Sequence, residues 1–452
     1  MGIAYKSVGP SVCGPLINGK RLAMVAYSMF SPAVSAMNAQ SLAFQNISDN
    51  IANSTTTGYK AGQVRFQEMV ASKSKGSTFS NFLGTQANQQ IFRDKEGVIY
   101  GTQRRLDAAL SGSGFFITSP SLTPSDDTLE LTDAGIFGES VVSNGGAEEV
   151  YLTDLKGNYL MGWPYDVATE TYSVDTNSTA GLQPIRIDPE GNVYEAVATT
   201  EGGLKVNLPG TAATGETYSF DLPVYDGTGD DDGFSDEQQL IATFVKNAAA
   251  NTWDMTISGT GGTVATPAVQ PVAVTFDASG NLTTVNGVAN TPLDISVSWA
   301  DSGATNTMTL DLSGTTQYGG SVTQESLSSN GSVQGQLSSV TFGKDGNVIG
   351  NFTNGLQRPI GRIAVGDVVE PNRLVRTGDT HFKLGANSGT LQLVDLANTS
   401  RVTFSANSLE QSTTDLALEF STMIMTQRAY SSAATSLKTV DEMVRTATEL
   451  KS

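Results

Sequence analysis

Two long segments with helical spacing stand at the two ends of the chain, and they limit what can fold between them. In the N-terminal segment, residues recur at steps of four and three, the heptad spacing of a helix seam. Its positions are Phe30, Val34, Met37, Ser41, Phe44, Ser48 and Ile51. We predict a helix from near residue 29 to Asn53, which tolerates a left-handed helix end. Gly58 then supplies a positive φ if the exit needs one.

The C-terminal segment repeats the same spacing. Its seam runs through Leu416, Phe420, Met423, Gln427, Tyr430, Ala434, Leu437 and Val444. Ser408 with Gln411 fits a capping box, which predicts a helix beginning between Ser408 and Thr414. Each apolar stripe needs a partner, and one helix pair makes a thin core. The pattern therefore predicts terminal helices that order fully only in a polymer, with a helical stalk or a dimerisation coiled coil as the alternative.

The chain between the helices has the pattern of β structure. From about residue 91 to 404, short alternating runs are broken by Gly, Asn-Gly and Asp-Gly turns, as in sandwiches and barrels. The stretch 204–312 is acidic, Gly- and Thr-rich and unlike its flanks, so we predict an inserted domain. The predicted fold class is α+β: terminal helices forming a coiled-coil inner domain, an all-β inner domain, and an inserted outer sandwich- or barrel-like domain.

The domain boundaries follow from these patterns. We predict an N-terminal extension of unknown role, a helical inner domain, an extended connector, an inner β-domain and an outer β-domain. The extension covers residues 1–28 and the connector residues 59–90. The helical inner domain covers residues 29–58 and 408–452, the inner β-domain residues 91–203 and 313–407, and the outer β-domain residues 204–312.

Composition excludes several classes of function. Lys and Arg number 26 against 45 Asp and Glu, a net charge of −19, which argues against nucleic-acid partners and a docked peripheral membrane protein. No apolar run reaches the length of a membrane span, so no membrane insertion is expected. One cysteine allows no intrachain disulfide, and one histidine makes a histidine-centred active site or a His-rich metal site unexpected.

The sequence contains no recognisable catalytic or cofactor-binding motif, so we expect neither an enzyme nor a bound cofactor. The loop 228–238 partly imitates a calcium loop through Asp230, Asp232 and Gly233, but Thr228 and Gln239 occupy its two end positions. Both lack the carboxylates that dominate affinity, so a solvated acidic turn is the better interpretation. A carboxylate pair for glycoside hydrolysis stays open, because its two members need not be close in sequence.

The two end motifs resemble a known family. "NIANSTTTGYK" (50–60) and "MIMTQRAYSSAATSLKTVDEM" (423–443) are similar to the N- and C-terminal motifs of bacterial flagellar axial proteins, the rod and hook group. "VYDGTG", "LIATFVKNAAANTWDMTIS" and "TFDASGNL" resemble the outer domain of the hook members. The hook group is the best match; the alternatives are a distal-rod-like axial protein or a secreted β-rich binding module with a helical oligomerisation stalk. Residues 1–28 are extra relative to this family, whose members begin only a few residues before the heptad; they are either a real extension or a mis-assigned start, with Met24 or Met29 as the family-like beginning.

The resemblance implies a structural role. It implies a subunit that polymerises with itself into a curved, flexible tube, a universal joint that transmits motor torque from rod to filament. It implies type III export, an extracellular place in the flagellar hook next to the basal body, and contacts with the rod, the hook cap and the hook–filament junction proteins. It also implies assembly roles for two sets of residues: Asn50, Asn53, Gly58 and Tyr59 at the helix exit, and Gln427, Arg428 and Tyr430 on the second helix.

Overall fold

The computed structural model describes residues 16–70, 82–144, 147–188, 192–228, 237–289, 292–300, 302–378 and 380–449. Most of the acidic loop 228–238, with its predicted solvated turn, and the first part of the predicted extension lie outside these ranges.

The N-terminal helix, α1, spans Leu16–Ala52. It ends where the sequence predicts, but it begins inside the segment predicted to be an extension. The added residues, "LINGKRLAMVAYS", are rich in strong helix formers, and the helix continues through Pro32. The proline is therefore contained within the helix and does not begin it.

The C-terminal helix, α2, spans Leu416–Glu449, and its predicted beginning was wrong. Ser408 lies in a strand and does not cap the helix. The cap is Asp415, whose Oδ1 accepts hydrogen bonds from the backbone N–H of Ala417 (3.0 Å) and Leu418 (3.2 Å). An aspartate at this position also complements the positive end of the helix dipole.

The predicted extended connector contains a β-hairpin. Strands β1 (Gly62–Val70) and β2 (Phe82–Ile91) pair antiparallel. The hairpin packs on α1, where the Ser35 hydroxyl accepts a hydrogen bond from the Thr85 N–H (3.1 Å). The sequence did not predict this hairpin, because its polar strands lack the alternation of apolar and polar residues that marks a half-buried sheet.

The first run of β structure leads away from the hairpin. It comprises β3 (Ile99–Gly101), β4 (Ala108–Gly112), β5 (Phe115–Ser119), β6 (Glu130–Thr132), β7 (Phe137–Asn144), β8 (Ala147–Asp154), β9 (Tyr159–Asp166), β10 (Thr171–Tyr172), β11 (Gln183–Pro184) and β12 (Val193–Tyr194).

A second run forms a sheet of its own, called here the second sheet. It comprises β13 (Glu201–Asn207), β14 (Thr217–Tyr225), β15 (Glu237–Lys246), β16 (Thr252–Gly259), β17 (Gly262–Thr266), β18 (Val272–Phe276), β19 (Leu282–Val285), β20 (Val288–Ala289), β21 (Leu293–Trp299), β22 (Thr305–Asp311) and β23 (Thr323–Ser329).

The third run returns the chain to the helices. It comprises β24 (Gly335–Phe342), β25 (Asn347–Phe352), β26 (Gln357–Ile363), β27 (Val365–Asp367), β28 (Val375–Gly378), β29 (His381–Lys383), β30 (Gln392–Val394), β31 (Val402–Ala406) and β32 (Ser408–Glu410). Strands β24–β30 join β5–β12 in one sheet, called here the first sheet, while β31 pairs with β4 and β32 with β3.

Each sheet has its own apolar core. Strands of the second sheet alternate buried and exposed residues, as in Glu237–Lys246, and their inward residues surround Phe244, Trp253 and Trp299. The first sheet packs around Phe116 and Phe137 on one side and around Trp163 on the other. This separation agrees with an insertion of one β unit into another.

The second sheet is longer than the predicted insertion 204–312. Its last strand, β23, pairs antiparallel with its first, β13. The two ends of this unit lie side by side: the Asn330 side-chain oxygen accepts hydrogen bonds from the Thr200 and Glu201 N–H groups, both at 2.9 Å. Strand β23 is polar and largely exposed. Its sequence therefore resembles the flanking segment more than the strands of the second sheet, and the predicted insertion ended before it.

Candidate assembly junction

The helix exit predicted at Asn53 is a compact hydrogen-bonded turn. The Asn53 side-chain amide donates to the Asp49 carbonyl of the last helical turn (2.8 Å), and the Thr56 hydroxyl donates to the Asn53 side-chain oxygen (3.2 Å). These bonds satisfy groups that a helix end leaves open. Asn53 and Thr56 therefore close the helix end, and the chain turns there towards the first sheet.

Gly58 sits where the chain touches the β structure. Its φ is +68°, and a Cβ built on it would lie 2.8 Å from the backbone N of Ala134 and the backbone C of Asp133. Its N–H donates to the Glu410 carbonyl (2.9 Å). A positive φ and this close backbone approach both require glycine.

Replacing Gly58 by alanine should therefore destabilise the junction strongly. The left-handed backbone costs a non-glycine residue about 1 kcal/mol or more, and the clash is with backbone that cannot move aside. Gly157→Ala is the matched control, because Gly157 also has a positive φ (+88°) but has nothing within 4 Å of the added Cβ. Urea unfolding should show Gly58→Ala losing at least about 2 kcal/mol more than the control. Equal losses of unfolding free energy in the two variants would mean that the contact of Gly58 with the backbone of Asp133 and Ala134 does not contribute to stability.

Asn50 connects three parts of the chain. Its side-chain oxygen accepts hydrogen bonds from the Gly62 N–H (3.0 Å) and the Tyr59 hydroxyl (3.2 Å). Its amide donates to the Gly62 carbonyl (2.8 Å) and to the Glu419 carboxylate on α2 (2.8 Å). A buried amide with all of these bonds made holds the exit turn against both helices.

The outgoing and returning chains run alongside each other at the junction. Strand β3 pairs with β32, the Thr413 N–H donates to the Tyr59 carbonyl (3.0 Å), and the Ala61 N–H donates to the Thr413 hydroxyl (2.8 Å). The Lys60 ammonium and the Glu410 carboxylate form a buried ion pair at 2.8 Å. The Tyr59 ring lies beneath the Arg376 guanidinium, 5.3 Å from the ring centroid.

Burial sets the protonation of these groups. The pKa of Tyr59 is raised by burial, which outweighs the opposite effect of Arg376. The pKa of the Glu419 carboxyl is also raised by burial, although its bond to Asn50 opposes the shift. Burial lowers the pKa of the Arg93 guanidinium to about 10.

The predicted seams only partly match the buried faces of the helices. On α1, Val34 and Phe44 are exposed, while Phe30, Met37 and Ile51 are half-buried. The buried stripe consists of Ala39, Ala43, Asn46, Ile47 and Asn50. It faces the hairpin and α2, where small residues allow close approach. The position of the stripe thus differs from the line through the largest apolar residues.

On α2, the predicted residues fall into two groups. Met423, Leu437 and Val444 are half-buried, whereas Leu416, Phe420, Gln427, Arg428 and Tyr430 are exposed. Thr426 is the buried residue of the C-terminal motif, and nothing in the motif distinguishes it from its polar neighbours. Gln427, Arg428 and Tyr430 therefore present outward in the single chain.

Sequence reasoning also missed the charged residues of the junction. Lys60 is the last residue of the N-terminal motif, but nothing in the motif marks it as a buried, paired charge. Glu410, Asp133 and Arg93 carry no local signal, because they meet Lys60 only through the fold. Within the described part of the chain, no three His, Cys, Asp or Glu side chains are grouped to hold a metal ion. Neither described helix combines the length and apolar character needed to cross a bilayer.

Comparisons with known proteins connect these features to a family. Residues 32–60 match the model "Flagella basal body rod protein" and residues 405–450 match "Flagellar basal body rod FlgEFG protein C-terminal". Residues 199–332 match "Flagellar basal body protein FlaE D2 domain". The "Flagellar hook protein FlgE" of Rhizobium meliloti (strain 1021) is 28% identical over 432 residues, 95% of this chain and 100% of the relative. The chain is thus similar along nearly its whole length to flagellar hook proteins.

Other relatives agree over their full length. The "Flagellar hook protein FlgE" of Escherichia coli (strain K12) is 27% identical over 445 residues, 93% of this chain and 100% of that protein. A crystal structure of the Helicobacter pylori flagellar hook protein FlgE2 matches 69% of this chain at 14% identity with a TM-score of 0.43, which is too weak to bear on the overall arrangement.

The similarity bears on several sequence predictions. The chain resembles structural proteins of the flagellar hook, and the prediction that it is not an enzyme is confirmed by this resemblance. Two terminal helices with a mostly β middle are likewise confirmed as the fold. The matched D2-domain model, 199–332, includes all of the second sheet, and so it agrees with the longer bounds of that unit.

Proposed function

We propose that this chain is the repeating subunit of a flagellar hook, a curved and flexible homopolymeric tube that transmits torque from rod to filament. The full-length similarity to proteins named flagellar hook protein supports this role. The match of residues 199–332 to a D2-domain model favours a hook subunit over a rod-like axial protein. The two end motifs together favour it over a secreted binding module.

The observation that carries the proposal is an apolar surface left open on α2. Leu416, Phe420 and Ile424 follow one another at steps of four and are 43%, 51% and 52% exposed. Further exposed apolar side chains on the same helix are Leu418, Met425, Tyr430 and Met443. Proteins that act as single chains rarely expose so many apolar residues on one helix. Neighbouring copies in a helical polymer would cover them.

In this proposal each part of the chain has a place in the tube. The two helices, which contact each other along with the hairpin, form a coiled-coil inner layer. The first sheet forms the middle layer, and the second sheet, taken as about residues 199–332, forms the outer one as a sandwich- or barrel-like domain. Residues 16–28 extend α1 inward, so the extension acts as part of the helical layer.

The residues of the junction would set the angle between these layers. Asn50, Asn53, Gly58 and Tyr59 fix the helix exit. Gln427, Arg428 and Tyr430 face outward and would contact neighbouring subunits. The seam residues Phe30, Val34, Met37, Phe44, Ile51, Leu416, Phe420, Met423, Leu437 and Val444 would divide between the contact within one chain and contacts between chains.

The same proposal places the protein outside the cell. The subunit would leave through the type III export apparatus, add to the rod beneath a hook cap, and end against hook–filament junction proteins. Its partners would otherwise be copies of itself.

Electron microscopy of the purified protein tests the proposal. At high protein concentration or raised salt, the chain should form tubes of uniform diameter that bend. Straight tubes would support the rod-like alternative. A small oligomer that never elongates would contradict both axial roles and favour the binding module.

A further inference from the structure

A small cavity lies inside the junction, where four separate segments of the chain meet. Its volume is about 110 Å³, and Lys60, Arg93, Asp133 and Glu410 line it together with the loop at residues 112–115. Lys60 follows the helix exit, Arg93 follows β2, Asp133 follows β6, and Glu410 ends β32. The cavity therefore lies among segments that join the helices and the hairpin to the β structure.

The polar groups of the cavity are unequally satisfied. The Glu410 carboxylate is bonded to the Lys60 ammonium at 2.8 Å and also accepts a hydrogen bond from the Gly97 N–H. Among the described residues, by contrast, Asp133 Oδ2 and Arg93 Nε are buried and make no hydrogen bond. A buried carboxylate oxygen without a donor favours the neutral, protonated acid.

The charges around Asp133 do not remove this preference. Burial raises the pKa of Asp133 to about 7; Lys60 and Arg93 oppose the shift, and Glu410 adds to it. Burial also works against the Lys60 ammonium, but Asp133 and Glu410 outweigh it and raise the pKa of Lys60. The other charged groups that line the cavity or act on its members are Asp94, Glu96, Asp367 and Arg376.

We propose that this cluster is a proton-dependent latch between the terminal helices and the first sheet. With Asp133 protonated, the Lys60–Glu410 pair is undisturbed and the four segments stay closed. With Asp133 ionised, a second buried carboxylate competes with Glu410 for Lys60 while its own Oδ2 makes no hydrogen bond to any described residue, and the closed state is disfavoured. This behaviour belongs to the single chain and does not depend on polymerisation.

The sign of the pH dependence follows because the Asp133 carboxyl holds its proton more tightly in the closed state than in the opened chain. A carboxyl whose folded pKa is raised stabilises the closed form below that pKa, and the contribution is lost as pH rises towards it. Hydrogen exchange with mass spectrometry on the full chain should show this in peptides covering Gly58, Gly97 and residues 408–413. Once corrected for intrinsic exchange, protection should fall by up to tenfold per pH unit between about pH 5 and 7 and level off above.

Two variants make the test specific. Asp133→Asn cannot ionise, so protection of these peptides should become independent of pH. Asp294→Asn, at an exposed position on β21, should behave as the wild type does. Infrared titration of the wild type adds a measurement that needs no variant: a protonated carboxyl signal should persist to about pH 7. Constant protection in the wild type, an unchanged profile in Asp133→Asn, or loss of the carboxyl signal near pH 4 would each overturn the latch.

Discussion

Phe420→Asp should abolish polymerisation while leaving the β units as stable as in the wild type. Phe420 is half exposed on α2 between Leu416 and Ile424, so its replacement removes little packing within the chain. Surface substitutions of this kind change stability by about 0.5 kcal/mol or less. In a polymer that covers this row, the new carboxylate would be buried without a partner, at a cost of several kcal/mol in every subunit. Sedimentation and electron microscopy measure assembly, and thermal unfolding measures the β units.

Two further variants separate assembly from folding. Phe420→Leu keeps an apolar side chain at the same position and should still polymerise. Leu437→Asp, at a half-buried position on the same helix, should also prevent assembly, but by disturbing the contact between the helices of one chain. If Phe420→Asp forms tubes of normal length, this row does not lie between subunits.

The local parts of the fold were predictable because their causes are local. Heptad spacing marks both helices, and alternation between turn residues marks the strands from residue 91 onward. The position of the exit turn and the positive φ of Gly58 were also predictable, since both depend on residue type. The left-handed end allowed for at Asn53 does not occur, because Asn53 closes the helix through its side-chain amide. What the motif could not reveal is why Gly58 must be glycine, because the backbone it meets is that of Asp133, 75 residues later.

The failures involve partners distant in sequence. Ser408 and Gln411 satisfy the pattern of a capping box, yet the pairing of Ser408–Glu410 with Ile99–Gly101 prevails over a local signal worth about 1 kcal/mol. The α1 stripe was misplaced for a related reason. Ala39 and Ala43 are buried because the hairpin and α2 come close to them, and periodicity alone gives more weight to Phe44.

The charged junction shows the same limit for the candidate site. Lys60, Arg93, Asp133 and Glu410 come from segments up to 350 residues apart (Lys60 to Glu410), and each taken singly has the sequence character of a surface residue. Burial of such charges is rare unless they are paired. In the structure the Lys60–Glu410 pair lies beside Asp133, which forms no ion pair with the residues that the structure describes. No pattern within any one of these segments predicts that arrangement.

Replacing residues 200–331 by a short Gly-Ser linker should give chains that still polymerise, but into straight tubes. The deletion is feasible because the two ends of the second sheet lie side by side at Asn330, and because its core is separate from that of the first sheet. A unit whose ends adjoin can usually be removed without unfolding its host. Helices, junction and first sheet would remain, and they hold every contact to which we assign assembly.

The bend should be lost because it needs contacts at the largest radius of the tube. Neighbouring outer units must slide past one another as a curved hook rotates, which suits small, polar contacts such as those an acidic, Thr-rich surface offers. The control is a deletion of residues 204–312 alone. It removes most of β13, which includes Leu204 and Val206, and leaves β23 without the strand that it pairs with, so this chain should be recovered poorly. Electron microscopy of the isolated polymers decides the matter. Full curvature after removal of 200–331 would refute the bending role, and better recovery of the 204–312 deletion would refute the boundaries drawn from the second sheet.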